Sequence, residues 1–211
     1  MNIRIVLKTL GLLAVLIGGL MVIPGLVSAI YKEPLGVISF GISSLLALIV
    51  GLILKHFGEN SDMGRREAFV TVSLSWLLAA MIGSLPYLIL GLGPMNAIFE
   101  SMSGFTTTGA TILSQYNSEG YWIISPDLVQ GSLAYALAER AANYLIYCAP
   151  IDTIDLCFGL TLDFGDLLSV KGTYYGLLFW RSFSQFLGGL GIIMLFIAIL
   201  PNLGLAGREL Y

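Results

Sequence analysis

Charged side chains are scarce in this sequence. They account for 11% of its 211 residues, while hydrophobic residues account for 57% and the mean hydropathy is +0.89. Soluble domains carry about 25% charged residues, so this composition excludes an ordinary soluble domain and predicts a protein embedded in a lipid bilayer. The ten Lys and Arg residues are outnumbered by thirteen Asp and Glu residues. A basic patch for nucleic acid is therefore not expected.

Histidine and cysteine, which often take part in enzyme chemistry or bind metals, are also scarce. The sequence has one histidine, His56, and two cysteines, Cys148 and Cys157, which match no metal-binding spacing. The predicted spans also lack paired carboxylates, so we expect neither an enzyme nor a covalently bound cofactor. Both cysteines fall on the predicted outer side of the membrane, where a disulfide between them stays an open question.

Four apolar runs are long enough to cross a bilayer, which takes about 20 helical residues. They cover about 9–30, 35–54, 69–92 and 174–200. They predict an all-α polytopic membrane protein with four transmembrane helices. Pro24 predicts a bend in the first run, which is too long for the core of a signal peptide. The link from Tyr31 to Pro34 allows only a tight turn, so the first two runs form an antiparallel hairpin.

The distribution of Lys and Arg predicts the orientation. With the N-terminus in the cytoplasm, the positive-inside rule is obeyed. Leaving aside the last span, the basic residues on the cytoplasmic side are then Arg4, Lys8, Lys55, Arg65, Arg66 and Arg208. Those on the outer side are Lys32, Arg140 and Lys171. We therefore expect a multi-pass protein of the cell membrane with a cytoplasmic N-terminus. The long extracytoplasmic segment at about 114–172 is acidic, which either concentrates cations at a pore mouth or, more commonly, keeps a loop solvated.

A distinctive stretch, PMNAIFESMSGFTTTGAT (94–111), lies between the third and fourth runs and is too short to cross the membrane. It predicts a re-entrant pore helix that begins near Pro94, followed by an extended loop from Thr106 to Thr111 that returns to the surface. Consecutive carbonyls in a narrow passage replace the water shell of a cation, and Gly109 can adopt backbone angles that other residues avoid. The C-terminal end of the helix would present the negative end of its dipole to that cation. These residues predict an ion-selectivity filter.

One such stretch cannot enclose a pore, because a filter is a ring of carbonyls. No second TTTGA-like stretch occurs in the sequence. Either further units follow in the same or another chain, or copies of this chain assemble around one axis. The alternative is a non-conducting membrane subunit or truncated pseudo-transporter that needs another chain. A membrane enzyme is less favoured.

Three segments follow one another along the chain in a specific order. They are FVTVSLSWLLAAMIGSLPYLI (69–89), NAIFESMSGFTTTGATIL (96–113) and LLFWRSFSQFLGGLGIIMLFIAILPNLG (177–204). Together they resemble the Trk/Ktr/HKT potassium transporter family, and most closely its TrkH branch. The resemblance implies that 1–64 form an additional two-span hairpin with a cytoplasmic loop, and that 65–211 form the first of four span-filter-span repeats. The length of the insert at about 114–172 departs from the family pattern, and the family's other three repeats have no counterpart here.

The resemblance also implies a function and partners. It implies potassium uptake across the cell membrane, with K+ as the transported ion, which moves either by electrodiffusion or coupled to H+ or Na+. In complete proteins of this kind the four repeats lie in one chain, and the subunits pair as homodimers. A cytosolic nucleotide-binding subunit regulates them. The expected partners are thus the lipid bilayer, the remaining pore repeats, a second copy of the complete subunit and that regulatory subunit.

The filter residues follow from the loop and from the resemblance together. One quarter of the filter is expected from Thr107, Thr108, Gly109, Ala110 and Thr111. The backbone carbonyls of the first three are the expected ligands of K+.

Two charged residues at membrane depth are expected to support the filter. Glu100 either contacts the ion or braces the loop through hydrogen bonds to its backbone, and its place more than a turn before the loop favours bracing. Arg181 either snorkels to the interface or pairs with Glu100. Gly188, Gly189 and Gly191 permit either close helix packing or a hinge in the last span.

Overall fold

The computed structural model describes residues 3–59, 64–113, 129–148 and 174–199, and these contain helices and no strand. The helices are α1 Ile3–Leu20, α2 Val22–Ile30, α3 Pro34–Phe57, α4 Arg65–Ile89, α5 Pro94–Phe105, α6 Leu133–Cys148 and α7 Tyr175–Ile199. The predicted all-helical character is thus confirmed over the described ranges.

Three helical segments are long and apolar enough to cross a membrane. They are Ile3–Ile30, Pro34–Phe57 and Arg66–Ile89. They coincide with the first three predicted spans. Helix α7 covers the fourth predicted span and has 25 residues. The membrane crossing of α7 stays a prediction.

The first span is interrupted at Met21, which separates α1 from α2. Pro24 has no backbone N–H, so the carbonyl of Leu20 lacks its usual helical donor, and the proline ring crowds the same turn. Backbone hydrogen bonds continue on either side, from Met21 N to Ile17 O at 3.0 Å and from Gly25 N to Met21 O at 3.3 Å. The irregularity therefore lies in the turn before Pro24 and not at the proline itself.

Glycines allow α1 and α3 to pack closely. A side chain on Gly11 would lie 2.7 Å from the Gly51 carbonyl, and one on Gly18 would lie 3.0 Å from the Ala47 side chain. Only glycine fits such an approach of two backbones. The two helices therefore form the tightly packed antiparallel hairpin that their short link predicts.

Trp180 of α7 lies at the centre of the core and is fully buried. Its ring meets Phe40 of α3 and Phe105 of α5 edge-on, with centroids 6.4 Å and 6.1 Å away. Its indole N–H donates to the Gly83 carbonyl of α4 at 3.1 Å. One side chain thus fixes α7 against three other helices, and this positions the filter-like loop that follows α5.

Helix α6 lies within the predicted outer segment. The acidic composition of 114–172 predicts a solvated loop, but α6 buries Ala134 and Ala138, one turn apart, and contacts α3. The segment is therefore not polar throughout. Most of the rest of it, including Cys157, falls outside the described residues, so the question of a disulfide with Cys148 stays open.

Candidate functional site

The site is built on α5 and the loop at 106–111. Pro94 occupies the first turn of α5 and Gly93 precedes it, a common way to begin a helix. At the other end of α5, a side chain on Gly104 would overlap Ser184 of α7. A side chain on Gly188 of α7 would overlap the Phe105 carbonyl. The end of α5 therefore rests directly on the backbone of α7.

The loop leaves α5 through two residues with left-handed backbone angles. Thr107 has φ of 58° and Gly109 has φ of 75°. The N–H of Thr107 donates to the Gly104 carbonyl at 2.9 Å, and the N–H of Thr108 donates to the Ser103 carbonyl at 3.1 Å. Such bonds satisfy carbonyls at the end of a helix. The positive φ of Gly109 is a conformation that glycine adopts readily and other residues avoid.

Glu100 of α5 is fully buried and faces the loop from behind. Its Oε1 atom accepts hydrogen bonds from Thr111 Oγ1 at 2.8 Å, Ile112 N at 2.5 Å and Leu113 N at 3.3 Å. Its Oε2 atom pairs with Arg181. The bonds from Ile112 N and Leu113 N are hydrogen bonds of the kind that bracing requires, from the backbone next to the loop to the carboxylate.

Arg181 of α7 joins both parts of the site. Its Nη1 atom pairs with Glu100, and its Nη2 atom donates to the carbonyls of Gly109 at 2.9 Å and Ala110 at 3.0 Å. The Ala110 carbonyl also accepts from Ser103 Oγ at 2.6 Å. A single planar guanidinium therefore connects the last helix, the buried carboxylate and the loop backbone.

The carbonyls of the four consecutive loop residues 107–110 fall into two groups. Those of Gly109 and Ala110 accept hydrogen bonds from Arg181. Those of Thr107 and Thr108 accept none from the part of the chain that the structure describes, and both residues are exposed. Such oxygens are available to a cation. Among the described residues no cluster of His, Cys, Asp or Glu could hold a metal ion.

The three glycines at 188, 189 and 191 in the second half of α7 differ in their surroundings. Gly188 is in close contact with Phe105, as given above. A side chain on Gly189 would come no closer than 3.9 Å to Thr107, and one on Gly191 no closer than 3.9 Å to Trp76. Helix α7 continues without a break through all three. Close packing accounts for Gly188, and the two other glycines have room for a small side chain.

Sequence reasoning missed Glu33, which lies in the turn between α2 and α3. It is 1% exposed, and its carboxylate accepts hydrogen bonds from Tyr175 N at 2.6 Å and Gly176 N at 3.2 Å. The available signal is an acidic residue in a short turn on the same predicted side as the start of the last span. A helix N-terminus attracts such a charge.

Comparison with known proteins places these features in a wider context. No known protein family profile matches the chain, and no solved structure matches it. The chain is 30% identical over 216 residues to the Trk system potassium uptake protein TrkH of Salmonella typhimurium and to that of Escherichia coli K12, covering 100% of this chain and 33% of each relative. It is 26% identical over 208 residues to an uncharacterized cation transporter of Methanocaldococcus jannaschii, covering 98% of this chain and 32% of the relative.

The chain spans about a third of the length of the curated relatives that it matches. The match extends over the whole chain and includes the insert whose length departs from the expected pattern. The resemblance inferred from three short segments is confirmed. This chain is similar, over its full length, to one third of the Trk system potassium uptake protein TrkH.

Proposed function

We propose that this chain is part of a membrane transporter that takes up potassium ions, and that it supplies one quarter of the selectivity filter. The proposal rests on which groups of the loop at 106–111 have hydrogen-bond partners and which do not. Its back is attached to a buried ion pair, while two consecutive carbonyls, those of Thr107 and Thr108, have no partner among the described residues. The potassium uptake named for the relatives supports the same conclusion.

In this proposal α5 is a re-entrant pore helix and α7 is the fourth span. Helix α5 has 12 residues, and at a rise of about 1.5 Å per residue it is roughly 18 Å long, too short for a hydrocarbon layer of about 30 Å. Helix α7 has 25 residues and reaches roughly 37 Å. The N-terminus lies in the cytoplasm, which the distribution of Lys and Arg supports.

The proposed chemistry is the replacement of water by carbonyl oxygens. K+ would enter from the outer side, lose its hydration shell and bind the carbonyls of Thr107, Thr108 and Gly109 together with those of three equivalent loops. The Gly109 carbonyl would share its two lone pairs between Arg181 and the ion. Ala110 and Thr111 would hold the loop in place through their bonds to Arg181 and Glu100.

The charge of Arg181 requires compensation in such a site. Two unit charges interact by about 4 kcal/mol at a separation of about 4 Å and an effective dielectric constant of about 20, and the energy falls in inverse proportion to the distance. An uncompensated guanidinium behind the filter would therefore weaken the binding of a cation by more than tenfold. The buried carboxylate of Glu100 cancels this charge, so the arginine can orient carbonyls without repelling the ion.

A complete pore requires partners that supply the other three filter loops. They lie in the same chain or in another one, and the complete subunit forms a homodimer regulated by a cytosolic nucleotide-binding subunit. The resemblance to the TrkH branch supports these partners and the coupling to H+ or Na+. The relatives' name, which refers to a Trk system, supports a transporter with several components.

Potassium-limited growth tests the proposal. A bacterial strain without its own potassium uptake would carry either this chain alone or the chain together with the polypeptide that supplies the other three filter loops. We expect rescue by the form that contains four filter loops. Rescue by the short chain alone would mean that copies assemble around one axis. If every form inserts into the membrane and none restores growth or K+ uptake, the chain belongs to a non-conducting subunit and the proposal is wrong.

A further inference from the structure

The turn between α2 and α3 holds a buried carboxylate that contacts the start of α7. Glu33 accepts hydrogen bonds from Tyr175 N and Gly176 N, which lie 142 and 143 residues further along the chain. The first N–H groups of a helix have no partner within the helix, and they carry the positive end of its dipole. Glu33 supplies both the acceptors and the negative charge that this helix end needs.

The surrounding contacts fix this arrangement. A side chain on Gly176 would overlap the hydroxyl of Ser28 and would lie 2.8 Å from the Pro24 carbonyl. The ring of Tyr31 stacks on that of Tyr175, with centroids 4.5 Å apart and planes 22° apart. The first turn of α7 therefore rests on α2 without space for a sideways shift.

The same helix carries the arginine of the filter site. Arg181 lies six residues after Tyr175 in α7, a rise of roughly 9 Å. An α-helix transmits axial position and rotation over such a distance because each turn is bonded to the next. The contacts at its first turn therefore determine where the guanidinium meets the carbonyls of Gly109 and Ala110.

We propose that Glu33 is a positioning residue for the selectivity filter. It fixes the depth and rotation of α7, and through Arg181 it fixes the geometry of the loop at 106–111. The N-terminal hairpin thereby contributes to ion selectivity in addition to anchoring the chain in the membrane. This inference rests on the proposed function of the loop as a filter.

The test compares the K+ over Na+ preference of uptake in the form of the protein that supports growth. Glu33→Gln keeps the shape of the side chain and removes the charge that strengthens its hydrogen bonds. We expect it to lower the preference by about 2-fold to 30-fold, the usual range for residues that act through a network. If Glu33→Gln prevents membrane insertion, Glu33→Asp takes its place, and a shift in the same direction is expected.

A matched control separates positioning from general damage. Glu59→Gln removes an exposed carboxylate that pairs with Arg4, far from the first turn of α7, and it should leave the preference unchanged. A shift in this control as large as that of Glu33→Gln would overturn the inference.

A third variant, Gly109→Ser, distinguishes failure of this inference from failure of the proposed function. If Gly109→Ser alters the preference and the Glu33 variants leave it at the wild-type value, the filter stands and the role of Glu33 is wrong. If no variant at either position alters the preference, the filter assignment itself is wrong, and so is the inference about Glu33.

Discussion

Arg181 and Glu100 form an ion pair inside the described structure, with the carboxylate side chain 0% exposed and the guanidinium side chain 16% exposed. A second pair, Arg4 with Glu59 at 3.2 Å, has side chains 70% and 59% exposed. Removing charges from water is costly, and a buried pair is maintained only when further hydrogen bonds satisfy both groups. The loop supplies those bonds, so the pair and the loop conformation depend on each other.

The change Glu100→Gln should destabilise the protein strongly. It leaves the Arg181 charge without its counter-charge in a nearly buried position, which typically costs about 3 to 5 kcal/mol. Thermal unfolding of the purified chain in detergent measures the effect. We also expect loss of K+ uptake in the form of the protein that supports growth, because the positive charge of Arg181 then lies behind the filter without compensation.

The matched control for this change is Arg4→Gln. It breaks an exposed pair, for which the expected cost is below about 1 kcal/mol. An equal loss of stability in both variants would show that the buried pair has no special role.

The sequence alone gives the pairing of Glu100 with Arg181 as one of two alternatives, the other being that Arg181 snorkels to the interface. Each is the one charged residue of its helix, and a lone charge at membrane depth requires a partner. The sequence does not show that the second nitrogen of Arg181 reaches the carbonyls of Gly109 and Ala110. That contact depends on how closely α7 approaches α5, which Gly104 and Gly188 determine.

The role of Glu33 illustrates the main limit of the sequence analysis. The pattern from Tyr31 to Pro34 predicts a tight turn correctly, because local steric preferences determine it. The partners of the carboxylate lie in α7, and nothing local points to them. Long-range contacts of this kind arise from the packing of helices, as does the burial of α6 against α3.

The change Gly188→Ala should separate α7 from the end of α5. The new methyl group would overlap the Phe105 carbonyl, which belongs to the backbone and cannot turn aside. Forcing extra volume into a packed contact costs about 1 to 3 kcal/mol. The midpoint temperature of unfolding in detergent and the rate of K+ uptake should both decrease.

Gly189→Ala is the control for the packing at Gly188. Its methyl group would meet nothing closer than the Thr107 side chain at 3.9 Å, and alanine favours a helix over glycine by up to about 1 kcal/mol. Stability should stay the same or rise. A loss of stability equal to that of Gly188→Ala would contradict the close-contact explanation.

Two neighbouring serines of α5 provide a matched comparison. Ser103 donates to the Ala110 carbonyl at 2.6 Å, whereas the buried hydroxyl of Ser101 has no partner in the described part of the chain. Ser103→Ala should lower the free energy of unfolding by about 1 kcal/mol, and Ser101→Ala should leave it unchanged or raise it. Thermal unfolding of the two variants in detergent compares their stabilities with that of the wild type. Equal values would show that the bond from Ser103 does not hold the loop.

Gly109→Ser tests the filter assignment most directly. Gly109 has φ of 75°, a conformation that costs a residue with a side chain roughly 1 to 2 kcal/mol. The nearest atom to an added side chain is Nε2 of Gln185 at 3.6 Å, so there is space and the effect acts through the backbone. We expect the loop carbonyls to reorient. Membrane insertion should persist, while the K+ over Na+ preference falls or K+ uptake is lost.

The control for this variant is Gly93→Ser, at the start of α5. Gly93 has an ordinary φ of −58°, an added side chain would meet nothing within 4 Å, and serine is favoured before a helix. This variant should therefore transport like the wild type. Uptake of K+ and Na+ by cells with equal amounts of inserted protein measures both variants. If Gly109→Ser keeps the wild-type preference, the carbonyls of Thr107, Thr108 and Gly109 are not the ion ligands, because their orientation depends on the backbone angles of this glycine.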